Sequence, residues 1–182
     1  MDTSAFWDLM ERSARETGGP DERADWLTGR LATLPHTSIE DFQVLLDSLR
    51  NRVDTWRMWG AATLIFQGWC SDDSFWYFQL WLIGQGREMF ERAAADPDAL
   101  ADAPAVRALA GRSRREWNDG EWPGWEKLDY VAGKAYGNAD DLHSALRARA
   151  HLFRSSPAPE DDRTETDRRY PRLTALLAGP GT

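Results

Sequence analysis

Apolar residues recur at helical spacing along most of the chain, whereas the alternation of apolar and polar residues typical of strands is scarce. In the longest pattern, apolar or small residues follow one another in steps of three and four: Ile39, Phe42, Leu46, Leu49, Val53, Trp56 and Gly60. A continuous stripe of this kind predicts an amphipathic helix. With Ser38 as its N-cap, the helix is predicted to span residues 38–67.

Residues 71–95 predict a second long helix, which is apolar nearly all round in its first half. Phe75, Phe78 and Leu82 lie on one face, and Trp76, Leu80 and Ile83 lie on another. A helix that is apolar on all sides is buried. Because Gly68 separates the two predicted helices, we expect an antiparallel hairpin at the centre of the protein, with Trp59 and Trp81 as core residues.

Shorter helical patterns flank this hairpin, at about residues 3–16, 21–34, 126–137 and 140–153. Residues 154–171 are polar and include three prolines, so they have too little apolar surface to offset the entropy of ordering. The predicted fold is an all-α, single-domain helical bundle over residues 1–153, built around the buried hairpin. Residues 154–182 are predicted to form a flexible polar tail, with one docking turn near its end.

Charge argues against nucleic-acid binding. The 182 residues carry a net charge of −8, and residues 1–102 hold 18 acidic residues against nine basic ones. An acidic surface repels phosphate backbones. The local exception is an arginine cluster, which is expected to form a solvated helix face: Arg107, Arg112, Arg114 and Arg115.

The chain shows neither a signal peptide nor a run of 18 apolar residues, which favours a cytoplasmic protein that does not enter a membrane. Arginine outnumbers lysine twenty to two, a composition typical of GC-rich bacterial genomes such as those of actinobacteria. The single cysteine excludes an internal disulfide.

Metal and cofactor sites are not expected. His36 is predicted to lie in a loop, and His143 and His151 on a partly exposed helix face; none has the spacing of a helical zinc site. Phosphate-binding and dinucleotide-binding glycine motifs are missing from the sequence.

The segment Cys70-Ser71-Asp72-Asp73 carries the candidate chemistry, with two interpretations open. Ser as N-cap and Asp in the first turn are ordinary helix-start residues. Alternatively, the carboxylates lie at the end of an aromatic-walled pocket, with one aspartate capping the helix and the other, Asp73, facing a ligand. A nucleophilic Cys70 is disfavoured, because adjacent acids raise the pKa of a thiol.

Several stretches together resemble the bacterial family catalogued as domain of unknown function 4240. They are Phe6-Trp7, Trp59-Gly60-Ala61-Ala62, Cys70-Ser71-Asp72-Asp73 and Phe78-Gln79-Leu80-Trp81-Leu82-Ile83, within residues 1–140. The family pattern has Arg at the position of Gln79 and Gly at that of Ser74. If the family's Arg holds an aspartate or an anionic ligand, this chain lacks that contact. The resemblance implies no activity.

Three functions follow as hypotheses. The first is a module that binds a small molecule or a protein partner through these residues: Trp59, Cys70, Ser71, Asp72, Asp73, Gln79 and Trp81. The second is an enzyme, for example of secondary metabolism, with Asp72 or Asp73 as acid or base and Tyr77 or Tyr136 as helper. The third is a structural or immunity-type partner protein, suggested by the acidic first half. The sequence does not predict an oligomeric state.

Overall fold

The computed structural model describes residues 1–149, 151 and 166–178. Within these ranges the protein is helical and has no strand, so the predicted all-α class is confirmed. The α-helices are α1 (Thr3–Glu16), α2 (Pro20–Leu31), α3 (His36–Val53), α4 (Trp56–Ile65), α5 (Asp72–Gly84), α6 (Arg87–Ala95), α7 (Pro104–Arg107), α8 (Val131–Tyr136), α9 (Ala139–Ala148), α10 (Thr166–Arg169) and α11 (Pro171–Leu177). Short 3-10 helices cover Pro97–Asp102, Arg114–Glu116, Asp119–Glu121 and Glu126–Tyr130.

The helices of the described ranges are too short or too polar to cross a membrane. Contacts between Cα atoms divide the chain into two compact units. Unit 1 is Met1–Asn51 with Trp125–Ser155, and unit 2 is Arg52–Gly124 with Ser156–Thr182.

Unit 1 is built from α1, α2, α8, α9 and most of α3, with α2 packed against both α1 and α8. The stripe residues of α3 that belong to this unit are buried as predicted: Ile39, Phe42, Leu46 and Leu49. The apolar residues of the segment 126–136 are buried as well: Leu128, Val131, Ala132 and Ala135. Phe6 packs on Phe42 with 5.0 Å between ring centroids. The helical stripe therefore identified the core of this unit correctly.

Unit 1 also buries charged groups. The guanidinium of Arg50, in a side chain that is 1% exposed, pairs with the carboxylate of Asp129 at 3.2 Å. Asp47 is buried as well and accepts hydrogen bonds from Gln43 and His151, both at 2.8 Å. Burial raises the pKa of Asp47 in spite of these two partners.

The prediction of one continuous helix over residues 38–67 is wrong. α3 begins at His36, so Ser38 lies inside its first turn, and it ends at Val53. Thr55 has extended backbone dihedrals (φ −132°, ψ 151°), and its hydroxyl accepts a hydrogen bond from the amide of Met58 at 3.1 Å. A threonine that caps in this way starts a new helix. The apolar stripe keeps its spacing of three and four residues across the break, so the spacing alone does not reveal that the helix ends at Val53.

The second long helix, predicted over residues 71–95, is also divided. α5 ends at Gly84 and α6 begins at Arg87. Between them Gly86 has a φ of 92°, a backbone conformation that residues with a side chain rarely adopt. The two predicted segments therefore consist of four helices.

Aromatic rings link the helices of unit 2 into a ladder. In order, Trp56, Trp59, Phe75, Phe78 and Trp81 follow one another with centroid separations of 5.5, 4.6, 6.3 and 5.3 Å. Phe75 and Phe78 are fully buried, whereas Trp59 and Trp81 are partly exposed. The two tryptophans therefore line the edge of the core that was predicted to contain them.

More than half of the predicted tail, residues 154–165 and 179–182, lies outside the described residues. The described end of the chain, residues 166–178, is helical, and Tyr170 and Leu173 in it are buried. The docking turn predicted near the end of the chain is therefore present as α11.

Candidate functional site

The turn between α4 and α5 is sharply defined by its backbone. Gln67 and Gly68 both have positive φ angles, of 57° and 100°. The amide of Gly68 donates to the carbonyl of Thr63 at 2.8 Å and closes the end of α4. A glycine just after the last helical turn is a common helix stop. The chain then passes Trp69 and Cys70 before α5 begins.

Ser71 starts α5. Its hydroxyl accepts a hydrogen bond from the amide of Ser74 at 3.1 Å and lies 2.9 Å from the hydroxyl of the same residue. Asp72 and Asp73 occupy the first turn, are exposed, and form neither a hydrogen bond nor an ion pair with any described residue. The prediction that one aspartate caps the helix is therefore wrong, because Ser71 does so.

Replacing Ser71 by Ala is expected to lower the free energy of unfolding by about 1 kcal/mol, the usual cost of a lost N-cap. Asp72→Asn and Asp73→Asn remove only the interaction of a charge with the helix dipole, which is worth about 0.3–1 kcal/mol at an exposed site. Urea unfolding of the three variants tests this order. An aspartate variant less stable than Ser71→Ala would contradict it.

Cys70 has the properties of a structural thiol. Its side chain is half-buried, and burial together with the charge of Asp72 raises its pKa to about 12. Because a thiol attacks only as the thiolate, this residue is unreactive near neutral pH.

Trp69 is the most exposed large apolar side chain in the described part of the protein, with 62% of its surface accessible. The guanidinium carbon of Arg114 lies 6.0 Å from its ring centroid and 5.4 Å from that of Trp122. Trp122 in turn stacks on Phe66, at the end of α4, at 6.2 Å. Trp69 is therefore the exposed end of a row of stacked groups: Trp69, Arg114, Trp122 and Phe66.

Hydrogen bonds fix the turn to the segment 112–122. Arg114 donates through its side chain to the carbonyl of Phe66 at 3.1 Å and through its amide to Gln67 at 2.9 Å. The Gln67 amide group also donates to the carbonyl of Arg112 at 2.7 Å. These contacts hold the loop that presents Trp69.

The segment 112–122 is itself held by an ion pair. The guanidinium of Arg112 contacts the carboxylate of Glu121 through both of its terminal nitrogens. This pair and the amide of Asn118 lower the pKa of Glu121 to about 2, so the pair stays ionised at any pH well above that value. The solvated helix face predicted for the arginine cluster is wrong for Arg112 and Arg114, which lie beyond α7 and make these tertiary contacts.

The other predicted site residues make contacts within unit 2. Trp59 and Trp81 belong to the ring ladder. Gln79 is buried and donates to the carboxylate of Asp54 at 3.2 Å, so it fastens α5 to the break between α3 and α4. Tyr77 is partly buried, and its Cβ atom lies 3.5 Å from where a side chain on Gly124 would begin.

Tyr136, the second predicted helper, belongs to unit 1. Its hydroxyl donates to Glu40 at 3.1 Å, and its ring stacks on His36 at 4.0 Å. Burial and the carboxylate of Glu40 raise the pKa of its phenol. His36 thus begins α3, where a loop was predicted.

The described ranges contain no group of three or more His, Cys, Asp or Glu side chains arranged to hold a metal ion. His143 is exposed on α9, as predicted. His151 lies just after that helix and contacts the buried carboxylate of Asp47. This contact gives His151 a structural role, and His143 is solvated.

Comparison with known families gives one match, to a family described as a protein of unknown function, DUF4240, and it covers residues 1–138. The chain belongs to DUF4240. In this DUF4240 protein the matched residues include the turn between α4 and α5, the segment 112–122 and α8, whereas α9 and α11 lie beyond the match. Comparison with curated proteins and with solved structures gave no match.

Proposed function

We propose that this DUF4240 chain is a protein-binding module, and that its partner binds the surface formed by Trp69, Asp72 and Asp73, called the Trp69 surface below. The observation that carries the proposal is the 62% exposure of the Trp69 side chain. Burying an exposed indole against a partner is favourable in free energy, and tryptophan is among the residues that dominate binding at protein interfaces.

The fixed backbone supports this proposal. Trp69 lies between a glycine stop and a capped helix, on a loop held by Arg114 and Gln67. A side chain presented by a rigid loop loses less entropy on binding than one on a free segment. The surface is therefore organised for binding before a partner arrives.

The charge of the surface favours a basic segment in the partner. Asp72 and Asp73 are exposed and form no ion pair with a described residue, so both can accept an incoming Lys or Arg. A cation can also stack on the indole ring of Trp69. Cys70 as a nucleophile is disfavoured, because burial and the charge of Asp72 raise its pKa to about 12.

The test uses the full chain and four proteins: wild type, Trp69→Ala, the double variant Asp72→Asn/Asp73→Asn, and Tyr130→Ala as a matched control. Tyr130 is the other exposed large aromatic residue of the described ranges, at 47%, and lies in unit 1. Each protein is titrated calorimetrically with an arginine-rich peptide and with a glutamate-rich peptide of equal length.

Wild type and Tyr130→Ala are expected to bind the basic peptide alike. Trp69→Ala is expected to weaken binding about 30-fold, the effect of losing an interface residue worth about 2 kcal/mol. The double aspartate variant should lose most of its dependence on salt concentration as well. Equal binding by all four proteins, or preference for the acidic peptide, would contradict the proposal. Binding of free arginine with the same affinity as the peptide would favour a small cationic ligand instead.

A further inference from the structure

The end of the described chain packs on the rest of unit 2 through Tyr170. This side chain is 3% exposed, and its hydroxyl donates to the backbone oxygen of Arg57 at 2.6 Å. Its ring lies on Gly60 of α4, where a Cβ atom would come within 2.5 Å of the hydroxyl oxygen and 3.1 Å of the ring carbon that carries it. A real Cβ atom does not approach so closely, so the position of the ring requires glycine at residue 60.

Asp98 caps α11 from a different element. α11 begins at Pro171, which has no N–H, so the first amides that need a partner are those of Arg172 and Leu173. The amide of Leu173 lies 2.9 Å from one oxygen of Asp98, and that of Arg172 lies 3.1 Å from each. The Asp98 side chain, on the 3-10 helix Pro97–Asp102, is buried beneath these amides.

Two further contacts complete the docking. The guanidinium of Arg172 pairs with the carboxylate of Asp102, which also pairs with Arg92 of α6. The side chain of Leu173 is completely buried. The four consecutive residues 170–173, Tyr-Pro-Arg-Leu, thus contact Gly60, the capping carboxylate of Asp98 and the carboxylate of Asp102.

The docked segment does not hold its helical structure by itself. α11 has seven residues, and isolated helices shorter than about 12 residues are marginal in water. The contacts with α4 and with Pro97–Asp102 therefore supply the stability of α11. A segment that becomes helical on a preformed surface binds in the manner of a short peptide ligand.

We propose that the surface formed by Gly60, Asp98 and Asp102, called the docking surface below, is a recognition site for short helical protein segments of the type Tyr-Pro-basic-Leu. The chain's own residues 170–177 occupy this site as a displaceable ligand. The partner that fits is a protein segment with this chemistry, which exchanges with residues 170–177. This inference stands apart from the Trp69 surface and does not depend on the function proposed for it.

Covalent linkage sets the condition for exchange. A ligand that belongs to the same chain as its receptor binds at an effective concentration, which is on the order of millimolar for short flexible linkers. A free segment of equal affinity therefore competes poorly with residues 170–177. Weakening the attached copy opens the docking surface without changing the surface itself.

The experiment uses full-length proteins and a fluorescein-labelled peptide of residues 166–178. Tyr170→Ala is expected to bind this peptide at least about tenfold more tightly than wild type, because the chain's own segment no longer places a tyrosine ring against Gly60. Fluorescence anisotropy measures the affinity. Adding Gly60→Ala to that variant should abolish the gain, since a Cβ atom there blocks the peptide tyrosine. A peptide with Ala in place of that tyrosine should bind neither protein, and Tyr130→Ala should behave as wild type.

The proposal is overturned if folded Tyr170→Ala binds the peptide no better than wild type, or binds the peptide without tyrosine equally well. Circular dichroism establishes that the variant is folded. If it is not, hydrogen exchange of wild type decides the matter. The amides of Arg172 and Leu173 should then exchange faster than those in the middle of α5, through local opening. Exchange at the rate of the α5 amides would mean that the segment leaves only on global unfolding, and it would refute a displaceable ligand.

Discussion

Phe78→Ala is expected to lower the free energy of unfolding by about 3–5 kcal/mol, the largest stability effect of the substitutions considered. Phe78 is completely buried and contacts the rings of Phe66, Phe75 and Trp81. Truncation leaves a cavity inside the ring ladder, and the neighbouring rings are too rigid to fill it by rotation. Chemical denaturation followed by circular dichroism measures the loss.

Trp59→Ala provides the comparison, because Trp59 is a larger ring in the same ladder but is partly exposed. Water can enter the space that its side chain leaves, so the loss should be smaller than for Phe78→Ala. If Trp59→Ala were the more costly substitution, the ladder rather than burial would control stability in this unit. The sequence alone predicted Trp59 to be a core residue.

Asp129→Ala is expected to destabilise the protein by about 3 kcal/mol. Removing the carboxylate leaves the guanidinium of Arg50, in a side chain that is 1% exposed, without the ion pair that it forms at 3.2 Å. A buried charge that loses its partner costs more than the pair itself contributed. The loss of stability should lie at the lower end of the usual range, because Asp129 is 25% exposed and water can take over part of its interaction with Arg50.

Arg50→Met is the matched control, because it removes the charge and keeps an unbranched apolar side chain of similar length. It should cost less than Asp129→Ala, and the double variant Arg50→Met/Asp129→Ala should be more stable than Asp129→Ala alone. Thermal unfolding of the three variants and wild type gives the comparison. A double variant whose loss equals the sum of the single losses would show that the pair is not coupled.

The helical fold could be predicted from the sequence because burial follows the spacing of apolar residues. The stripe from Ile39 to Val53 is buried as predicted. The boundaries could not be predicted in the same way. The spacing continues unchanged past Thr55, so only the local hydrogen bond of that threonine to Met58 reveals the new helix. At Gly86 the deciding quantity is a backbone angle, which the glycine permits but does not require.

The sequence predicted the helix start at residues 71–73 but left the identity of its cap open. Ser71, Asp72 and Asp73 lie at the start of a helix as predicted, and Ser71 carries out the capping. The exposure of Trp69 escaped prediction, because an aromatic residue next to two apolar helices is expected to be buried. Its support by Arg114 depends on a contact between residues more than 40 positions apart, which the sequence pattern does not encode.

Cys70 offers a way to follow the motions of the turn. It is the single cysteine of the chain, and its pKa of about 12 leaves roughly one thiol in 10⁴ as thiolate at pH 8 in the folded protein. Alkylating reagents will therefore modify it slowly while the turn is closed and much faster whenever Cys70 becomes solvated. The alkylation rate, read by intact-mass spectrometry, gives the frequency of opening at one residue beside the Trp69 surface, and a bound partner should slow it.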